Sequence, residues 1–143
     1  MKLEISDLIL DASVVKLLIT ETSKNDNCYD KLENLVSKGV KLWVYSGEMQ
    51  TIFDSLSTTY EESSSPEPTS TNSLSQLLEA RIPKFSWLAT LAQDLACLSG
   101  SDPIVNCLMN AAERLGKDAY VFTFYRNRED QGKRFLSIDN LKN

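Results

Sequence analysis

The 143-residue sequence contains no histidine. That absence removes Ser-His-Asp and Cys-His catalysis and any Cys/His zinc site, leaving carboxylates, lysine, tyrosine or a metal held by oxygen ligands to carry chemistry. Cysteine is scarce: Cys28, Cys97 and Cys107 form an odd set without a CxxC pair and read as reduced, structural thiols. Long apolar runs are missing as well. Leu8 to Leu10 and Val14 to Ile19 are too short to cross a bilayer, and Lys16 interrupts the second. The opening Met1-Lys2-Leu3-Glu4 has no apolar secretory segment, so the expected location is the cytoplasm, with no membrane partner. No Gly-rich phosphate loop is present, and Asp11 stands without an acidic neighbour, which ranks a nucleotide-binding or receiver-like domain last. Excess positive charge is also lacking. The net charge of −5 gives no overall attraction to nucleic acid, although a local patch acts within a Debye length of roughly 8–10 Å.

What is there describes a packed fold. Hydrophobic residues make up 42% and charged residues 24%, far from the signature of disorder, and the length suits one core, so residues 1–143 are expected to form one domain. Leu8-Ile9-Leu10 reads as a buried strand ending at Asp11, with a helix over Ser13 to Thr22. Leu32, Leu35 and Val36 give a helix over Tyr29 to Lys38 that Gly39 stops, and Val40 to Tyr45 alternates as a strand. Gly47 to Leu56 reads as a helix with Glu48 in its first turn. Residues 57–73, rich in Ser, Thr, Glu and Pro, read as a mobile loop.

Beyond that loop, Leu74, Leu77 and Leu78 mark a short helix. Leu88, Leu91, Ala92, Leu95 and Ala96 mark another, which Trp87 opens, and Pro83 separates the two. Asp102-Pro103 starts a helix carrying Ile104, Leu108, Ala111, Ala112 and Leu115, which Gly116 ends. Ala119 to Thr123 follows as a strand, and Phe135 to Ile138 as a final edge strand. Alternating strands and helices predict an α/β fold, a three-layer α/β/α sandwich around a mainly parallel sheet with its ligand site beyond the strands' carboxyl ends.

Asp11, Glu48 and Asp102 all fall at strand ends or helix starts. Gathered at one end of the sheet, such carboxylates hold Mg²⁺ or Mn²⁺, which activates water and stabilises charge on a phosphodiester without any histidine. Leu8-Ile9-Leu10-Asp11-Ala12-Ser13-Val14 resembles the opening strand and first acidic motif of PIN domains, including toxin ribonucleases of the VapC type. Asp102-Pro103-Ile104 followed by Ala111-Ala112-Glu113-Arg114-Leu115-Gly116-Lys117-Asp118-Ala119-Tyr120-Val121-Phe122-Thr123 resembles the acidic helix, small-residue face and Thr-terminated strand of that family. With the element order, the likeness spans nearly the whole chain.

The resemblance implies that Asp11 and Asp102 bind the metal and that Ser13 and Thr123 line the site. It also implies a homodimer and, in the toxin branch, an antitoxin that inserts into the active-site groove. Two positions depart from the pattern. Phe124-Tyr125-Arg126 stands where the family has an acid about two residues after the Thr, and Glu48 comes roughly one helical turn before the usual second acid, where Ile52 falls.

Each residue also has a plainer reading. Asp102 suffices as an N-cap, Glu48 as a charge at the positive end of its helix, Ser13 as an N-cap, and Thr123 as an ordinary strand residue. Arg126 and Arg128, near Lys133 and Arg134, either meet substrate phosphates or form a solvated loop. Trp43 and Trp87 read as core or interface residues. The expected function is a metal-dependent endoribonuclease of reduced activity in a toxin-antitoxin or defence-type system, with Asp11, Asp102 and Glu48 as catalytic metal ligands. The competing one is a catalytically inactive PIN-like module that binds protein or nucleic acid within a larger assembly.

Overall fold

The computed structural model describes residues 4–20, 22–49, 51–52, 71–91, 103–125 and 134–137. Strand β1 (Asp7–Leu10) leads through α1 (Ala12–Thr20) and α2 (Thr22–Ser37) to β2 (Lys41–Tyr45), which ends in a 3-10 turn over Ser46–Glu48. Helix α3 (Thr71–Arg81) precedes β3 (Phe85–Leu88), and α4 (Pro103–Leu115) precedes β4 (Ala119–Phe122) and β5 (Phe135–Leu136). The five strands form one sheet in the order β3-β2-β1-β4-β5, and every neighbouring pair is parallel. Parallel strands need crossover connections, which is why helices separate β1 from β2, β2 from β3 and β3 from β4 in sequence.

Alternation along the strands divides the core between two faces. Leu8, Leu10, Leu42, Val44 and Phe122 pack with Val14, Val15 and Leu18 of α1, Leu32 and Leu35 of α2, and Leu78 of α3. Their neighbours Ile9, Tyr45, Leu88 and Val121 turn the other way, against Val105, Leu108, Ala111 and Ala112 of α4. Both faces are covered, so the strands carry nearly continuous apolar runs, and the three-layer α/β/α arrangement around a parallel sheet is the observed architecture.

Helix α2 stops in a Schellman motif. Gly39 N donates to Val36 O and Val40 N to Leu35 O, each at 3.0 Å, and Gly39 takes φ +97°, a conformation that glycine adopts without steric cost. Cys28 in α2 and Cys107 in α4 are buried thiols, and burial, only partly opposed by Lys31, pushes the Cys28 thiol up to about 12. Neither is placed to react, as the structural reading expected; Cys97 lies outside the described residues.

The structure corrects the reading at several points. Phe85–Leu88 is a strand, so Trp87 does not open a helix; it lies in β3 with its ring edge-on to Phe85 at 5.6 Å. Leu88 and Leu91 share helical spacing with Ala92 and Leu95, but Leu88 is buried at the end of β3 while Leu91 is 41% exposed, so they do not share a face. Aromatic side chains and the break at Pro83 suit a short strand beside β2. Residues 92–100, the rest of that expected helix, lie outside the described residues.

Helix α2 starts seven residues before the expected Tyr29, because its polar first half gives no apolar period. Helix α3 begins at Thr71, inside the expected 57–73 loop, whose residues 57–70 are not described. After Tyr45 the chain makes a 3-10 turn before turning α-helical at Met49, Thr51 and Ile52; residues 53–56 of that expected helix are not described. No helix among the described residues is long and apolar enough to cross a membrane.

Candidate functional site

The chain runs outward from β1 through β2 to β3, then returns to the opposite side of β1 with β4 and β5. Strand order therefore reverses at β1, and in open parallel sheets the crevice at such a reversal, beyond the carboxyl ends of the strands, is where ligands bind. Leu10 pairs with both Val44 and Phe122, so Asp11, Tyr45 and Thr123 stand level at that edge, one inter-strand spacing of roughly 4.8 Å apart along the backbone.

Asp11 joins strand to helix. Its N–H donates to Phe122 O at 3.2 Å, extending the β1–β4 ladder, and its carbonyl accepts the first bond of α1 from Val15 N at 3.1 Å. Its side chain caps that helix: Oδ1 accepts from Ser13 N at 3.0 Å, Val14 N at 3.2 Å and Ser13 Oγ at 2.5 Å. The N-cap is thus Asp11, not Ser13. Ser13 sits in the first turn and its hydroxyl does something else, accepting from Phe124 N at 2.9 Å while it donates to Asp11. A continuous path, Phe124 N to Ser13 Oγ to Asp11 Oδ1, thereby ties the end of β4 to the end of β1.

Thr123 closes the other side. Its N–H donates to Leu136 O at 3.0 Å, and its Oγ1 accepts from Tyr125 N at 3.0 Å, fixing the chain where it leaves β4. Asp11 and Thr123 are both 0% exposed, whereas Tyr125, beside them, is 37% exposed.

Glu48 is the second acid of this edge. It is 1% exposed and sits in the first turn of the 3-10 segment, so a charge at the positive end of a helix there is a buried one. The Ser46–Glu48 turn that carries it is anchored sideways, with Ser46 Oγ and Thr90 Oγ1 2.9 Å apart and Thr90 N donating to Ser46 Oγ at 2.9 Å, and it lies against α4. Gly47 leaves no room for a side chain in this packing without a shift of its neighbours: a Cβ there would stand 2.5 Å from the buried Tyr45 ring and 3.1 Å from Thr90 Oγ1. Ile52, at the position where the PIN pattern has its second acid, is fully buried among the α1–α2 core residues.

The structure thus brings Asp11, Ser13, Glu48 and Thr123 to the carboxyl edge of three adjacent strands. Asp102, Arg126 and Arg128 lie outside the described residues, and among the described residues no group of three acids or cysteines is gathered closely enough to hold an ion. Sequence reading missed Ser46, Gly47 and Thr90. Only a glycine two residues past a strand hinted at them, because Thr90 is 44 positions away from its partner.

No family model matches the chain, and no curated protein matches it in sequence. Among solved structures it is similar to the crystal structure of PAE2754 from Pyrobaculum aerophilum, with a TM-score of 0.63 and 14% identity over 94% of this chain and 91% of that one. At that identity the likeness is one of fold: a parallel α/β sheet with helices on both faces.

Proposed function

We propose that the chain is a PIN-like, metal-dependent endoribonuclease with a reduced acidic set, in which Asp11 and Glu48, joined by Asp102 ahead of α4, hold one Mg²⁺ or Mn²⁺. The observation that carries this reading is the burial of two carboxylates at the ends of adjacent parallel strands, beside the reversal in strand order. Burying two acids at one edge costs free energy that a bound cation offsets. The donors fit such an ion chemically, since Asp11, Ser13, Glu48 and Thr123 all present oxygen.

A divalent ion bound there supplies a water of lowered pKa and neutralises charge on an RNA phosphodiester. The chain's own part is positioning. Ser13 and the amide of Val14 fix the Asp11 carboxylate, the Ser46–Thr90 pair and Gly47 fix the turn bearing Glu48, and Thr123 fixes the exit toward Tyr125, Arg126 and Arg128, which would meet the substrate. An antitoxin-like protein partner, a homodimer and a cytoplasmic toxin-antitoxin or defence-type role belong to this same reading.

A second reading, a non-catalytic PIN-like module, is favoured by one specific feature. Asp11 Oδ1 already accepts three hydrogen bonds from its own helix start, and Tyr125 occupies the place of an expected acid. Calorimetry with Mn²⁺ on the wild type and Asp11→Asn, followed by cleavage of a mixed structured and single-stranded RNA pool, separates the two. Asn caps a helix as well as Asp does, so the fold survives while the charge is lost. Metal binding and cleavage that both vanish in Asp11→Asn establish the nuclease; a wild type that binds no Mn²⁺ at millimolar concentration establishes the module.

A further inference from the structure

The opposite edge of the same sheet holds a groove of about 350 Å³, lined by Val36, Gly39, Val40, Lys41, Leu42, Trp43, Lys84 and Ser86. It lies where β2 and β3 begin, at the far end of those strands from Asp11 and Glu48. Leu42 pairs with Phe85 and Trp43 with Ser86, so one step earlier in the same register Lys41 stands beside Lys84. Like charges side by side on neighbouring strands repel each other. Both lysines are exposed, and neither side chain makes a hydrogen bond or ion pair with a described residue.

The carboxylate on the other side of Lys41 is Asp7, its register partner on β1, and both Asp7 oxygens are engaged, Oδ1 by the Trp43 indole N–H at 2.8 Å and Oδ2 by Ser6 Oγ at 2.9 Å. Asp7 therefore holds Trp43 in place, and the row Lys84-Lys41-Asp7 retains one excess positive charge. Of the rest of the lining, Ser86 is exposed and polar and Trp43 is half-buried, while Val36, Val40 and Leu42 belong to the core on the other face of the sheet. The volume exceeds what a lone phosphate needs and falls within the range of small-ligand pockets.

We infer that this groove binds a phosphomonoester carrying an aromatic group, of nucleoside monophosphate size, with Lys41 and Lys84 on the phosphate and the half-buried Trp43 beside the ring. Two ammonium groups abreast offer a phosphate charge-assisted donors, and the hydroxyl of Ser86 adds a neutral one. This site is independent of the metal-dependent reading of the carboxyl edge.

The test is titration of the full chain with AMP, followed by calorimetry and by tryptophan fluorescence, without divalent metal, and with inorganic phosphate in parallel. The proposal expects saturable AMP binding that quenches Trp43, phosphate binding at least about tenfold weaker, and loss of about tenfold in affinity in K41Q/K84Q, a step that equals 1.4 kcal/mol. Both substituted positions are exposed, and unchanged thermal unfolding of the variant shows that the fold is intact. Trp43→Phe keeps a ring in the wall and removes the optical signal, so quenching that persists in it comes from Trp87 and counts against the site. AMP affinity equal in wild type and K41Q/K84Q overturns the proposal, as does binding of an RNA oligomer by a chain that does not bind AMP.

Discussion

The two ends of the β2 and β1 strands handle polar side chains in opposite ways. At the carboxyl edge Asp11, Glu48 and Thr123 are buried, and the bonds around them run between elements distant in sequence: Ser13 to Phe124, Ser46 to Thr90. At the amino edge Lys41, Lys84 and Ser86 are exposed, and among the described residues the side-chain tie of comparable reach is Trp43 to Asp7. Burying a polar group costs free energy unless it is bonded, and the bonds accepted by Asp11 Oδ1 and Thr123 Oγ1 offset that cost at the carboxyl edge. The difference sets a carboxyl edge of buried, bonded side chains against an amino edge of exposed ones, and substitutions at matched residue types sharpen it.

Gly47→Ala should have the largest effect. Gly47 does not lie at positive φ, so the cost is one of space, imposed by the buried Tyr45 ring and the Thr90 hydroxyl. Overpacking of this kind costs about 1–3 kcal/mol. Urea unfolding should show that loss, and because the displaced residue neighbours Glu48, Mn²⁺ binding should weaken beyond what the stability change accounts for. A variant as stable as the wild type would mean that the carboxyl edge yields easily and is no more built than the other end.

Asp11→Ala comes next, at about 0.5–2 kcal/mol, the usual value of an N-cap. Asp11→Asn should retain most of that stability. The pair separates capping from charge: equal loss in both, by thermal unfolding, would show that the negative charge itself stabilises the native edge, and no loss in either would show that the bonds to Ser13 and Val14 contribute nothing.

Much of this was legible in the sequence where the signal was local. Leu8 to Leu10 and Ala119 to Phe122 are apolar runs of strand length, and Pro103 and Gly116 bracket a helix, so β1, β4 and α4 fall where pattern and breakers put them. Asp11 was legible as a carboxylate directly after a buried strand, whereas Ser13 and Thr123 entered only through the resemblance to PIN domains. What failed depended on tertiary pairing. Strand β3 has only four residues, and its last one, Leu88, fits a helical spacing that continues into residues 91–96, so only its pairing with β2 reveals it. The burial of Glu48 follows from a 3-10 turn pinned by Thr90 and covered by α4, none of which adjoins it in sequence. The juxtaposition of Lys41 and Lys84 is likewise a property of register, carried by residues 43 positions apart.

Gly39→Ala, at the amino edge, is the counterpart of Gly47→Ala and should be the mildest of these changes. A Cβ at position 39 meets nothing within 4 Å, so space is not the constraint. The constraint is the φ of +97°, which the Schellman bonds from Gly39 and Val40 back to Val36 and Leu35 impose. An L-residue in a left-handed conformation costs roughly 1–2 kcal/mol, and alanine recovers part of that by restricting the unfolded chain, by about 0.4–1 kcal/mol, which leaves a net loss of roughly 1 kcal/mol. Urea unfolding checks the size, and the contrast lies in what accompanies it. The loss at Gly39 should be purely conformational, leaving Mn²⁺ binding unchanged, because the strain is confined to the turn entering β2. If Gly39→Ala instead weakens metal binding as much as Gly47→Ala does, the two edges are coupled through β2 and the division drawn between them fails.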